Sequence, residues 1–328
     1  MPRRPPPPPR TTGAGCSVAQ PSKSKPRRAV GQAPRAPRAP AGAPSNERLA
    51  AIGVVLRDVE ARCDRAARRE ADPVGFVHHY EDLADREIVA VLASCFAFGN
   101  VKALRAKIAE VLRRLGPSPA SQLDDAPRTR RVLRGFKHRL YDERHVAALL
   151  LGARRLQKKE GSLGAALVRA LEDAGGELVP ALVVWVSAMR RLGGLDRLDG
   201  NGAAHILPNP RGGGANKRLM LLLRWMVRPP DGVDLGLWPI APSVLVIPLD
   251  VHLHKLGRNL GLVTHETSGW KAALELTRSL AAIDPRDPTR FDFSLCHLGM
   301  VQDCPSRRDP ARCAGCGVRP ICRHWVEN

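Results

Sequence analysis

From Asn46 onward, apolar residues recur at spacings of three and four. Leu49, Ile52, Leu56 and Val59 open the pattern, which is that of an amphipathic helix. A second run passes through Ile88, Val89, Leu92 and Ala93 to Phe96, with Asp85 read as its N-cap and Gly99-Asn100 as its end. Leu104, Ile108, Val111, Leu112 and Leu115 make a third, halted at Gly116-Pro117. Further helices fit 143–159, 162–173 and 177–192. The one strand-like stretch is Ser243-Val-Leu-Val-Ile-Pro-Leu249, and a lone run with a proline inside crosses a core more readily than it builds a sheet. No fixed-period repeat interrupts these elements, which together predict an all-α body.

Upstream of Asn46 the pattern vanishes. Residues 1–45 hold twelve of the 29 prolines, nine cations and no carboxylate, a composition that predicts a disordered basic arm. The expected organisation is an arm over 1–45, a helical domain over 46–300 and a cysteine-bearing loop over 301–328. With 328 residues and 44% apolar content the chain can bury a sizeable core. The net charge is +20, and the arm's nine cations leave +11 on the remainder. Attraction to polyanions such as nucleic acid is therefore expected of the folded part too. No apolar run approaches the roughly 18 to 20 residues of a membrane span, and no apolar leader opens the chain. The expectation is a cytoplasmic, nucleoid-associated monomer with no membrane partner.

Chemistry concentrates in two places. Cys304, Cys313, Cys316 and Cys322 stand as C-x8-C-x2-C-x5-C, near enough to form a cage of four thiolates. Such a cage suits a four-iron cluster or zinc. Zinc ribbons mostly use two C-x2-C knuckles, whereas a single knuckle stands here, so iron-sulfur is favoured and zinc is the alternative. Cys296 lies on the apolar Phe293, Leu295, Leu298 stretch and reads as a core residue.

The second place is Pro248-Leu-Asp-Val-His-Leu-His-Lys-Leu-Gly-Arg258, where Asp250 opens a helix whose Leu253, Leu256 and Leu260 face inward. Local pattern alone makes Asp250 an N-cap. Upstream, Gly212, Gly213 and Gly214 form a turn that opens an apolar helix. Their amides, beside a positive helix end, suit a phosphate, although a plain flexible loop has the same composition. Lys217 and Arg218 fall in the first turn, where the helix dipole disfavours cations, and a misfit of that kind hints at function. Gly135-Phe-Lys-His-Arg139 is a second basic and aromatic patch, offering phosphate contact or plain surface.

Leu249-Asp-Val-His252, then Lys255, Arg258 and Leu260-Gly-Leu262, resembles the helix start that bears the essential Asp in the endonuclease III and adenine-glycosylase group. Phe291 to Gly299, running into Cys304, is similar to the helix before that group's iron-sulfur loop, and Asp85 to Ser94 is similar to its first core helix. More closely, Ala93-Ser-Cys-Phe-Ala-Phe-Gly-Asn100, Gly135-Phe-Lys-His-Arg139, Lys217-Arg-Leu219 with Leu223-Arg-Trp-Met-Val-Arg228, and Ile247-Pro-Leu-Asp250 resemble a bacterial domain-of-unknown-function family, number twenty-four hundred. The group's Leu-Pro-Gly-Val-Gly hairpin is represented only by Leu207-Pro208, and Arg228 to Val246 looks like an insertion.

The resemblance implies a two-lobed bundle of the helix-hairpin-helix glycosylase type that cleaves the N-glycosidic bond of a damaged or mismatched base flipped out of duplex DNA. It implies that Asp250 stabilises a cationic sugar. In a lyase variant Lys217, preferred over Lys255, would be a nucleophile with its pKa lowered by burial or by Arg218. DNA contacts would fall to Gly212, Gly213, Gly214, Arg218, Lys137, Arg139, Lys255 and Arg258, and the cysteines would carry a structural 4Fe-4S cluster within a basic loop. Two other readings stand beside it: a non-catalytic nucleic-acid binder with Asp250 only a cap, and a zinc-stabilised RNA-binding module.

Overall fold

The computed structural model describes residues 44–302, 304–305 and 307–326, so the expected arm lies outside the described residues except for Pro44 and Ser45. Short polar side chains start most of the helices, as helix ends require, because the first-turn amides have no partner inside the helix. Ser45 caps α1 (Asn46–Ala61) and Asp64 caps α2 (Arg65–Ala71). A 3-10 segment, Pro73–His79, leads to α3 (Leu83–Phe96). Asn100 caps α4 (Val101–Leu115), which Gly116 ends at φ 86°. The short α5 (Pro119–Gln122) and α6 (Ala126–Leu133) follow.

The cap of α3 is Asp82 and not Asp85. Asp85 sits one turn inside, where its carboxylate accepts the Ala120 amide at 2.7 Å and ties α3 to α5. Either Asp could cap by sequence, and the distant amide decides between them.

β1 (Lys137–His138) and β2 (Tyr141–Asp142) pair antiparallel, a hairpin that no alternating run marks in the sequence. Then come α7 (Glu143–Glu160), α8 (Leu163–Asp173), α9 (Leu178–Gly193), α10 (Asn201–Ile206) and α11 (Lys217–Val227). Residues 228–249 carry no regular structure except a 3-10 turn, Pro242–Val244. Leu245, Val246, Ile247 and Leu249 are nevertheless buried, so this stretch crosses the core as its composition predicts. The chain closes with α12 (Val251–Asn259), α13 (Trp270–Ala281), α14 (Asp292–Gln302) and the single turn α15 (Arg323–Val326). The described body is all-α, and none of its helices is long and apolar enough to cross a membrane.

Two contacts explain why these helices hold together. Glu87 on α3 is fully buried, and its carboxylate accepts the Leu163 and Gly164 amides, Gln157 Nε2 and the Trp238 indole, all within 2.9 Å. One side chain thus fastens α3 to α7, to the start of α8 and to the 228–249 crossing. Where α7 meets α9, a Cβ on Gly152 would collide with the Met189 carbonyl, and one on Gly193 with the Ala148 carbonyl. Only glycine permits that approach. The cysteine-bearing tail is part of this body: Val318 and Ile321 are buried in the core beside α1, and Arg48 donates to the Ile321 carbonyl at 3.3 Å. Gly152→Val should therefore lower stability by about 1–3 kcal/mol, the usual cost of overpacking a filled core, read as a drop in the denaturant midpoint.

Candidate functional site

A cleft of about 750 Å³ opens where the end of α3, the glycine-rich turn before α11, the start of α12 and α14 converge. Asp250 and Lys217 face each other in it, with Lys217 Nζ 3.2 Å from Asp250 Oδ2. The two carboxylate oxygens of Asp250 have different tasks. Oδ1 accepts the Leu253 amide at 2.8 Å and caps α12, so the helix-cap expectation holds. Oδ2 faces the cleft, where it meets Lys217 and also the Cys296 thiol, a donor at 3.7 Å. Cap and cleft group are one side chain.

The charges follow from this pairing. Burial pushes the Asp250 carboxyl up, but the Lys217 ammonium and the Leu253 amide together hold it below the usual carboxylate range. Burial likewise pulls Lys217 down, yet Asp250, with Cys296 and Asp292 behind it, raises its pKa overall. The lowered pKa that a lyase course would require of Lys217 is not favoured by this pairing, because its nearest charged neighbour is an anion. Arg218, the cation expected to depress it, turns the other way. Its guanidinium donates to the Cys95 carbonyl at 3.0 Å, to the Tyr141 hydroxyl at 2.7 Å and to the His205 carbonyl. It builds the cleft wall with both terminal guanidinium nitrogens engaged.

The glycine-rich turn is fixed by its own hydrogen bonds. Gly212 donates its amide to the Asn209 carbonyl at 3.0 Å, Asn216 Nδ2 donates to the Pro210 carbonyl at 2.8 Å, and Asn216 itself takes φ 51°. Of the three glycine amides expected to meet a phosphate, that of Gly212 is therefore occupied. Those of Gly213 and Gly214 have no partner among the described residues. No side chain caps α11, so its first amides open beside Lys217 at the cleft.

The hairpin brings Arg139 against Phe98, which lines the cleft. Arg139 adopts φ 53°, uncommon for a residue with a side chain, and its guanidinium carbon lies 5.2 Å from the centroid of Phe98. Arg218 lies 5.5 Å from the same ring, so the half-buried Phe98 is flanked by two cations. Lys137 is exposed on the hairpin and does not line the cleft. Lys255 and Arg258 do not line it either. They border a separate hollow of about 900 Å³ with Arg308 and Arg323, beside the cysteine loop.

Cys304, Cys313, Cys316 and Cys322 stand within electrostatic reach of one another. The Cys304 and Cys322 thiols are pushed up by burial and by their companion sulfurs, and Asn259 Nδ2 donates to Cys304 Sγ at 3.2 Å. Four clustered thiols supply the donor set of a zinc or iron-sulfur site. Among the described residues, however, no three metal-ligating side chains are drawn together closely enough to hold an ion.

Three cleft groups lie in stretches that carry the family resemblance but were not singled out as site residues. Phe98 and Cys296 look like core residues in any local window. Asp292 is entirely buried at the cleft floor against Arg224, which also pairs with Asp234 at 3.1 Å. Burial, opposed by Arg224 and aided by the Asp250 charge, pushes Asp292 up to about 6. A Phe-Asp-Phe run beside a cysteine was the only local hint.

The fold and site define an all-α protein whose cleft is built on a carboxylate and ammonium pair. The family model described as Protein of unknown function (DUF2400) matches residues 72–301, and the chain belongs to that family. No curated protein and no solved structure matches it. The matched segment takes in every cleft residue named above and ends before Cys304.

Asp292 and Asp250 respond to pH in opposite senses. Asp292, with its native pKa raised above that of an unfolded Asp, contributes stability that is complete at low pH and lost as pH rises from about 4 through about 6. Asp250, with its pKa lowered, contributes stability present above about pH 4 and lost on further acidification. Infrared spectra at about pH 5 should show one buried protonated carboxyl that Asp292→Asn lacks. Identical spectra from the two proteins would refute this assignment.

Proposed function

We propose that the chain is an N-glycosylase of the helix-hairpin-helix kind, acting on a damaged or mismatched base swung out of duplex DNA into the cleft. The observation that carries the reading is the ionised Asp250 carboxylate on the cleft wall, 3.2 Å from Lys217. A volume of about 750 Å³ falls within the range of small-molecule sites and admits a nucleobase with its sugar. The turn between α10 and α11 supports the reading, because Gly214 and the uncapped start of α11 line the same cleft.

In this reaction the bond from C1′ to the base nitrogen breaks, the bonding electrons leave with the base, and positive charge gathers on the sugar ring. Asp250 opposes that charge across a water-poor wall. Water forms the new bond at C1′ and releases a proton, which Asp250 relays and the departing base finally takes up. Lys217 keeps the carboxylate charged and placed. Its raised pKa favours this hydrolytic course over attack by the lysine, which needs a neutral amine. Lys255 and Arg258, with Arg308 and Arg323, would hold the duplex backbone. Cys304, Cys313, Cys316 and Cys322 would hold a 4Fe-4S cluster, with zinc the alternative. That group's contribution is structural, tying residues 304–322 to α1 and α12.

Asp250→Asn keeps a capping side chain and removes the charge. It should cut base release by about 10²-fold or more, the scale of losing one preorganised electrostatic group, while duplex affinity stays level and the unfolding midpoint falls through loss of the Lys217 pair alone. The measurement is alkaline strand cleavage across a panel of damaged and mismatched duplexes, with borohydride trapping expected to capture no lysine adduct. Failure of the wild type to release any base would sink the proposal and leave a nucleic-acid binder in which Asp250 only caps its helix.

Purified protein should contain iron and acid-labile sulfide in equal amounts, and Cys313→Ser should lose both. Colourless protein with stoichiometric zinc would assign the site to zinc instead.

A further inference from the structure

A second hollow, of about 910 Å³, shares no lining residue with the cleft. Arg130 and Arg131 reach it from the last turn of α6, and Arg134 from just beyond. Arg144 and Arg155 enter from α7, Arg191 from the end of α9, and Arg197 from the turn that follows. Glu143 is the one carboxylate among its described lining residues.

Local causes account for only part of this. Arg130, Arg131 and Arg191 stand in last turns, where the helix dipole favours a cation. Arg144 is paired with Asp142 at 2.8 Å, and Arg155 donates to the Leu192 carbonyl at 2.6 Å. The guanidinium groups of Arg130, Arg131, Arg134, Arg191 and Arg197 make no hydrogen bond or ion pair among the described residues. Five guanidinium groups without a bonded partner line one hollow against a single carboxylate, so like charge is in excess there. A polyanion offsets that excess, and the planar fork of arginine matches phosphate oxygens two at a time.

The position of the hollow bears on which polyanion. Arg134 and Arg139 are five residues apart, so their backbones lie no more than about 18 Å from each other. Arg139 stands on Phe98, which lines the cleft. A duplex presents a phosphate about every 1.7 Å along its axis, so one seated at the cleft has charge to offer over that distance. We infer that the arginine hollow between α6, α7 and α9 is a second backbone-binding site, which grips phosphates of the duplex flanking the cleft. The inference rests on the nucleic-acid reading of the cleft, but not on any base being released there.

The test uses the full chain carrying R131E, R134E and R191E, all at exposed positions. The unfolding midpoint serves as a check of the fold. Binding of a long, lesion-free duplex is followed against salt. Each lost phosphate contact lowers the slope of log affinity on log salt by about 0.9, so three should lower it by about 2 to 3, with at least about a tenfold affinity loss at low salt. A matched triple outside both hollows, R57E, R113E and R286E, should change the slope by clearly less. Equal slopes for wild type and R131E/R134E/R191E, or equal losses in the two triples, would overturn the inference. So would binding of inorganic tripolyphosphate that the first triple loses while its duplex slope stays unchanged, since that assigns the hollow to soluble polyphosphate. Base release plays no part in this readout, so failure of the glycosylase reading and failure of this one remain distinguishable.

Discussion

The cleft depends on a guanidinium buried far from water. Arg224 lies on the same helix as Lys217, two turns further along, and is held by Asp234 on one side and Asp292 on the other. A buried cation stripped of water is tolerated only when carboxylates surround it, so α11 is fixed at once to the 228–249 crossing and to α14. Those attachments place Lys217 over the start of α12. They also bring Cys296, one turn along α14 from Asp292, beneath Asp250. The exposed rim contributes less, because ion pairs in water are worth little and yield to salt.

The two halves of the site are arranged differently. The carboxylate and ammonium sit on helix starts, where backbone amides are unfilled and helix dipoles add positive potential. Arg139, which covers Phe98, sits instead at the turn of a hairpin of two-residue strands, in a left-handed conformation.

Much of the helical framework was legible in the chain. α1, α4, α7, α8 and α9 fall within a residue or a few of the spans read from periodicity, because each buries one broad apolar stripe and begins at a polar cap. The core-crossing run before Asp250 was legible too, from its proline and its brevity. α2, α5 and α6 were not, being too short to show a period, and neither was the hairpin. The cap of α3 was misplaced because Asp82 and Asp85 look alike until the Ala120 amide claims one of them. At the cleft, Asp250 and Lys217 were legible only through a family resemblance, for nothing local announces that residues 33 apart will meet. The charge of Lys217 and the inward turn of Arg218 were illegible for the same reason: both are set by neighbours from other helices. The seven arginines of the second hollow are scattered over three helices and their connections, and no window along the chain contains them all.

The stretch from Arg228 to Val246 looks like slack in the sequence and is the reverse in three dimensions. Arg228 is clamped by Asp231, Asp234 and Asp287, while the Trp225 and Met226 carbonyls accept the Leu235 and Trp238 amides. A connector anchored at so many points behaves as a spacer of set length. Adding or removing residues within it would shift α12 along its own axis against α11, and a translation of one helical step would part Asp250 from Lys217 without disturbing either helix.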